Sequence, residues 1–211
     1  MARKLTPRVE KGVWIDVPFV GPVLTWIDVS SELASGVKAE WGIRGSSPQD
    51  RVAAVGTMQF DVYTAAGRRW LGLGKLIRLV INHPRYGDKV MWVGTVKGVD
   101  RIPGARGRKT RVQCVDWMDE AARQKLSGIA VETDVQSDEA FAILAAIVDN
   151  QPPYGIRSSA GSDIYPFTFD NTQDESARVL SEFQKLALSE FGLIYVAAGE
   201  LVFEGRRNRA G

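Results

Sequence analysis

Few residues in this chain are of types and spacings that could do chemistry. The single histidine, His83, precedes Pro84 in an expected hairpin loop. There it suits an exposed loop position, a surface contact or a general acid/base role. The single cysteine, Cys114, alternates with Val112 and Asp116 on one side of an expected strand, while Gln113 and Val115 take the other. With no histidine beside it and no cation-rich helix end, it reads as a buried, inert thiol rather than a nucleophile. One cysteine and one histidine supply neither an internal disulfide nor a closed four-ligand zinc site. Asp116, Asp119 and Glu120 cluster where strand gives way to helix. Carboxylates so placed could exchange protons or bind a divalent ion, and helix capping explains them more simply. Gly72-Leu-Gly74-Lys75 resembles the end of a phosphate-binding loop, but Arg69 stands where its first glycine belongs and Leu76 where its Ser/Thr belongs. A turn before a strand is the better reading. No nucleophile elbow, His-Glu-x-x-His helix or EF-hand loop is present. The sequence therefore predicts no catalytic, metal or cofactor-binding residues, no cofactor and no enzymatic activity.

What stands out is charge. Arg101, Arg106, Arg108, Lys109 and Arg111 surround Pro103-Gly104 and Gly107, as a basic hairpin tip would. Such a tract can contact nucleic acid, contact another subunit, or be an ordinary solvated loop. Single-strand binding wants aromatics interleaved with the cations, and the nearest, Trp92 and Trp117, lie outside the tract. Nucleic acid is not expected as a specific ligand, and the five residues are candidate subunit contacts. The formal net charge of +2 hides an asymmetry. Residues 1–116 hold 19 Lys+Arg against 10 Asp+Glu, and residues 117–211 hold 8 against 15. A basic half and an acidic half can meet a polyanion, or each other between copies.

The elements that must carry these residues change character near Asp116. Before it, Val13–Val17, Val23–Val29, Val37–Arg44, Val52–Tyr63, Lys75–Ile81, Lys89–Val99 and Lys109–Val115 read as strands, rich in β-branched and aromatic residues and broken by Pro18 and Gly21-Pro22. In the fourth, Met58, Phe60 and Val62 share one face. Closely spaced strands without helical periodicity predict a barrel or a strongly bent sheet. After Asp116, Asp119–Leu126 suits a short helix. Ser137-Asp138-Glu139 can start another, with Ser137 as cap, that stops at Asn150-Gln-Pro-Pro. A third is expected from the capping-box spacing Thr172-x-x-Glu175 through an apolar stripe from Val179 to Phe191, with Gly192 ending it at positive φ. Leu193–Ala197 and Glu200–Glu204 around Ala198-Gly199 form a hairpin, and residues 151–171 look like a long irregular loop. Two domains are expected, 1–116 β-barrel and 117–211 α+β with two main helices. The six tryptophans are read as core or interface residues. The longest apolar run, Phe141–Val148, is far short of the roughly 18 to 20 residues that span a bilayer. No secretory leader is evident, so cytoplasmic synthesis is expected.

The order of these elements resembles a known family. Trp26-Ile-Asp-Val-Ser-Ser-Glu-Leu, Gly56-Thr-Met-Gln-Phe-Asp-Val, Leu71-Gly-x-Gly-Lys-Leu-Ile-Arg-Leu, Trp92-Val-Gly-Thr-Val and Val112-Gln-Cys-Val-Asp-Trp-Met are similar to segments of bacteriophage minor tail proteins of the baseplate-hub type. Leu180–Gly192, Ile194-Tyr-Val, Gly199-Glu-Leu-Val-Phe203 and Arg206-Arg207-x-Arg209 extend the likeness through the second half. The resemblance implies a tail-tube-like antiparallel barrel followed by a helix-plus-sheet domain. It also implies a virion protein that forms a ring, commonly a trimer, joining the tail tube to the tip. Its implied partners are further copies of itself, the tube or distal tail protein, the tape-measure protein and the tip or fibre proteins, with no membrane anchor. The competing expectation is a β-barrel nucleic-acid-binding module that uses the basic half.

Overall fold

The computed structural model describes residues 6–18, 21–45, 47, 50–63, 72–102, 109–126, 129–169 and 177–209. The chain forms two compact units, Met1–Glu40 with Thr57–Asp116 and Trp41–Gly56 with Trp117–Gly211. The excursion 41–56, read from sequence as part of the β-rich region, therefore belongs to the second unit.

Seven strands build the first unit: β1 (Thr6–Val17), β2 (Gly21–Asp28), β3 (Lys38–Glu40), β4 (Thr57–Tyr63), β5 (Leu76–His83), β6 (Gly87–Ile102) and β7 (Lys109–Val115). They form one sheet in the order β2-β1-β5-β6-β7-β4-β3, antiparallel throughout. Register irregularities at Leu79/Val80 and Val96/Gly98 bend it, because an extra residue on one strand increases local twist. Among the described residues no ladder joins β2 to β3, so the sheet stays open where the sequence predicts a barrel. Its edges suit that outcome, since Pro22 in β2 has no amide proton to donate and β3 is three residues long.

The core lies on one face of this sheet. Met58, Phe60 and Val62 of β4 meet Val112 and Cys114 of β7, with Ile77, Leu79, Trp92, Val96 and Val9. The period-two alternation in β4 is the one its sequence predicts. On the opposite face Glu10 is nearly buried, accepting from Arg8 Nε at 2.7 Å and from Arg78 Nε at 2.6 Å, while the Arg78 guanidinium lies 4.3 Å from the Trp26 ring. Cys114 is buried as expected, and that burial pushes its thiol up to about 12. A thiol-reactive probe should leave the native protein unlabelled and take up one equivalent in denaturant. Rapid labelling of the native chain would contradict the packing around β7.

The second unit packs three helices, α1 (Met118–Arg123), α2 (Ser137–Ile147) and α3 (Val179–Ser189), with the strands β8 (Val135–Gln136), β9 (Ile156–Ser158), β10 (Ile164–Tyr165), β11 (Leu193–Ala197) and β12 (Glu200–Glu204). β11 and β12 form the predicted hairpin, turning through Ala198 and Gly199, both at positive φ as a tight two-residue turn requires. β9 adds in parallel to β12, and Val52 bridges Ile194 on β11, with the Ala53 amide donating to the Ile194 carbonyl at 2.8 Å. This pairing explains why the run read as one strand, Val52–Tyr63, breaks at Gly56. At the centre, the Phe141 ring lies 5.3 Å from Phe203 and 5.6 Å from Phe183, among Leu144, Leu186, Ile194 and Leu201.

Several expectations for this half are corrected. The long loop contains β9 and β10, and β10 pairs with β8. Ser137 is the first residue of α2 and does not cap it. The capping-box residues Thr172 and Glu175 lie outside the described residues, and α3 starts at Val179. At its end the left-handed residue is Phe191, at φ 52°, rather than Gly192. Gly192 is required for space instead, because a Cβ there would stand 2.8 Å from the Glu204 carbonyl oxygen and 2.9 Å from the Phe203 ring.

Candidate interaction surfaces

The residues singled out for chemistry are each held in local structure. His83 Nδ1 accepts from the amides of Arg85 and Tyr86, both at 3.2 Å, and its ring stacks on Tyr86 at 4.7 Å, so it staples the β5–β6 turn. Asp119 and Glu120 sit in the first turn of α1 and both bind Arg123, an arrangement that favours the helix. Asp116 is buried at the end of the first unit. Gly74 is at positive φ in the turn before β5, as expected.

The basic tract is not gathered into one cluster among the described residues. Arg106 and Arg108 lie outside them. Arg101 stands opposite Thr110, on the register of the core face, whereas Lys109 and Arg111 stand opposite Tyr63 and Asp61 on the outward register. Arg111 Nε donates to Asp61 at 3.3 Å, which commits that cation to a neighbouring strand.

Two apolar surfaces are more distinctive. β1 pairs with β5 only as far as Lys11↔Ile77, and beyond that its ladder continues with β2 alone among the described residues. Opposite residues in this hairpin share a face. Ile15 with Val23, along with Val17 and Ile27, are exposed on one face, and Trp14 beside Leu24 lies on the other with 63% of its surface open, along a cleft it shares with Gly74, Lys75 and Leu76. The sequence signal was present in Val13-Trp-Ile and Val23-Leu, which fail to alternate with polar residues. A strand with one wet face would alternate.

The second surface is a cleft of about 250 Å³ in the second unit, between α2, α3 and the segment after β10. Leu144, Leu186, Tyr165, Phe167 and Phe169 line it, with Glu182 and Lys185 bonded to each other at 2.7 Å beside them. Phe167 is 68% exposed, and the Tyr165 hydroxyl lies 2.7 Å from Ser189 Oγ.

A buried carboxylate holds the loop that leads to this cleft. Glu190, just past α3, is fully buried. Its Oε1 accepts from the Ser162 amide at 2.8 Å, and its Oε2 from the Asp163 amide at 3.1 Å and the Ser137 hydroxyl at 2.7 Å. Burial opposes its ionisation, and the Ser137 hydroxyl and the two amides outweigh that, holding the carboxyl below the usual range. Around it Gly161 donates to Asp138 at 2.9 Å and Arg206 to Asp163 at 2.9 Å. Among the described residues no group of three or more His, Cys, Asp or Glu could hold a metal ion, and no helix is long and apolar enough to cross a membrane.

A bent antiparallel sheet followed by helices on a small sheet is a fold found in tail proteins. The chain is similar to a tail protein from Neisseria meningitidis MC58, with a TM-score of 0.62 and 11% identity over 95% of this chain and 50% of that one. It is similar to the 43 kDa tail protein of prophage MuSo2 from Shewanella oneidensis, with a TM-score of 0.58 and 10% identity over 95% of this chain and 53% of that one. It is also similar to a chain of a Francisella PdpA–VgrG complex, with a TM-score of 0.51 and 10% identity over 94% of this chain and 28% of that one. The chain thus spans about half the length of the two tail proteins. No protein-family model matches it, and no curated protein matches it by sequence. The resemblance to tail proteins read from short motifs is met here by likeness of fold.

Proposed function

We propose that this protein is a structural, non-enzymatic component of a bacteriophage-type tail, a tail-tip hub subunit that assembles with copies of itself into a ring, trimeric by resemblance. The ring would join the tail tube, or a distal tail protein, to the tape-measure protein and the tip or fibre proteins, within the virion. The observation that carries this reading is that nearly the whole chain follows the fold of two tail proteins. Physical chemistry supports it: counted over the two units, the formal charges are +8 and −6, and a closed ring needs two different, complementary faces on each copy. A nucleic-acid-binding role draws less support, because Arg111 is committed to Asp61 and Arg101 stands on the other register.

Electron microscopy of the purified protein, alone and with its neighbouring tail proteins, tests the reading. Rings or caps on tube ends are expected. A strict monomer that retards DNA with a steep salt dependence would replace it with the nucleic-acid reading.

A further inference from the structure

Of the two apolar surfaces, one is an exposed hairpin and the other a cleft. The β1–β2 hairpin projects past its last β5 partner with apolar side chains on both faces. Two-stranded hairpins are marginal in water unless something packs on them. Contiguous exposed apolar surface of this kind marks contact sites. The cleft beside α3 is concave, lined by aromatic and aliphatic side chains, and about 250 Å³ in volume. A cavity of roughly 150 Å³ lined by such side chains takes up benzene, so this one has room for an aromatic side chain. The protruding surface belongs to the unit with charge +8 and the concave one to the unit with charge −6.

We propose that the occupant of the cleft is a second copy of this chain, whose hairpin inserts Trp14 against Leu144, Leu186 and Phe167. This deepens the ring reading and rests on it for the presence of neighbouring copies. Contact between unlike surfaces of two copies is heterologous, and such contacts propagate until a ring closes. Opposite net charges favour pairing of unlike units over like ones at long range, while the contact itself is apolar: between Gly12 and Ile27 the hairpin carries only Asp16, and Glu182 and Lys185 beside the cleft offset each other. Trp is suited to this task, since it offers a large rigid contact area and recurs where interfaces concentrate their binding energy.

The test uses the full chain. Trp14→Asp, at an exposed position, should melt with the wild type and weaken self-assembly by tenfold or more in light scattering. Trp14→Phe should restore most of it. Trp14→Cys combined with Phe167→Cys should cross-link between copies through a short bis-maleimide, while the buried Cys114 stays silent. A wild type that assembles, with Trp14→Asp assembling equally well and no cross-link between copies, would overturn the insertion and leave the ring standing. A wild type that is monomeric at every concentration yet cross-links in the double variant would keep the contact and remove the ring. A monomer without cross-links would remove both.

Discussion

Gly94→Ala is expected to destabilise the first unit by about 3 kcal/mol or more, beyond the usual cost of one added methyl in a packed core. A Cβ at position 94 would stand 2.1 Å from the Val115 carbonyl oxygen, 2.7 Å from the Val115 carbonyl carbon and 2.4 Å from the Trp92 ring. Neither neighbour can retreat. Val115 is paired with Thr95 in the β6–β7 ladder, and Trp92 is buried in the core. The strands would have to part or the indole leave its site. The control is Gly98→Ala, four residues along the same strand, where the nearest atom is the flexible Gln113 Oε1 at 3.3 Å. Melting of the two variants by circular dichroism should separate them by several degrees, because each kcal/mol is worth roughly 2–4 °C in a chain of this size. Equal melting temperatures would show that β6 and β7 do not approach as closely as described.

How far the fold could be read from sequence depended on which interactions form each element. β4 and the β11–β12 hairpin follow from local pattern alone: alternation in Met58, Phe60 and Val62, and a Gly199 turn between two apolar runs. β9 and the Val52–Ile194 bridge are set by partners far away in the chain, and two- or three-residue pairings leave no periodicity to detect. The open sheet leaves no local mark in the sequence for a related reason. Closure depends on whether two edge strands meet, and no local signal in β2 or β3 reports that. Among site residues, the charge of Arg101–Arg111 is legible in the sequence, whereas the pairing of Arg111 with Asp61 on a neighbouring strand is not. The apolar hairpin carries no chemical motif, and its signal is only that alternation fails in Val13-Trp14-Ile15. Ser137 was legible as a polar residue opening a helix, but its acceptor, Glu190, is more than fifty residues away.

That distant carboxylate supports the second large effect. Glu190→Gln is expected to cost roughly 3 kcal/mol, since hydrogen bonds to a charged group contribute about 1.5–3 kcal/mol and an unpaired buried donor costs about 1–3. Either orientation of the amide fails. Oε1 faces the Ser162 amide and Oε2 faces the Asp163 amide, so the new NH2 group must point at a backbone donor whichever way it turns. The loop 159–163 should then exchange its amide hydrogens faster, Ser162 and Asp163 most of all. The same contacts set a pH dependence. The folded carboxyl lies below its unfolded value, so the folded state holds the proton less tightly. Its stabilisation is complete above the unfolded glutamate range near pH 4.3 and is lost as pH falls through the folded value. Acid titration should therefore loosen the β9–β10 segment in the wild type, while Glu190→Gln, loosened already at neutral pH, should show little further change from this site. Hydrogen exchange of residues 159–163 at pH 7 and pH 3 reads both. An acid response of equal size in the two proteins would assign it to other carboxylates.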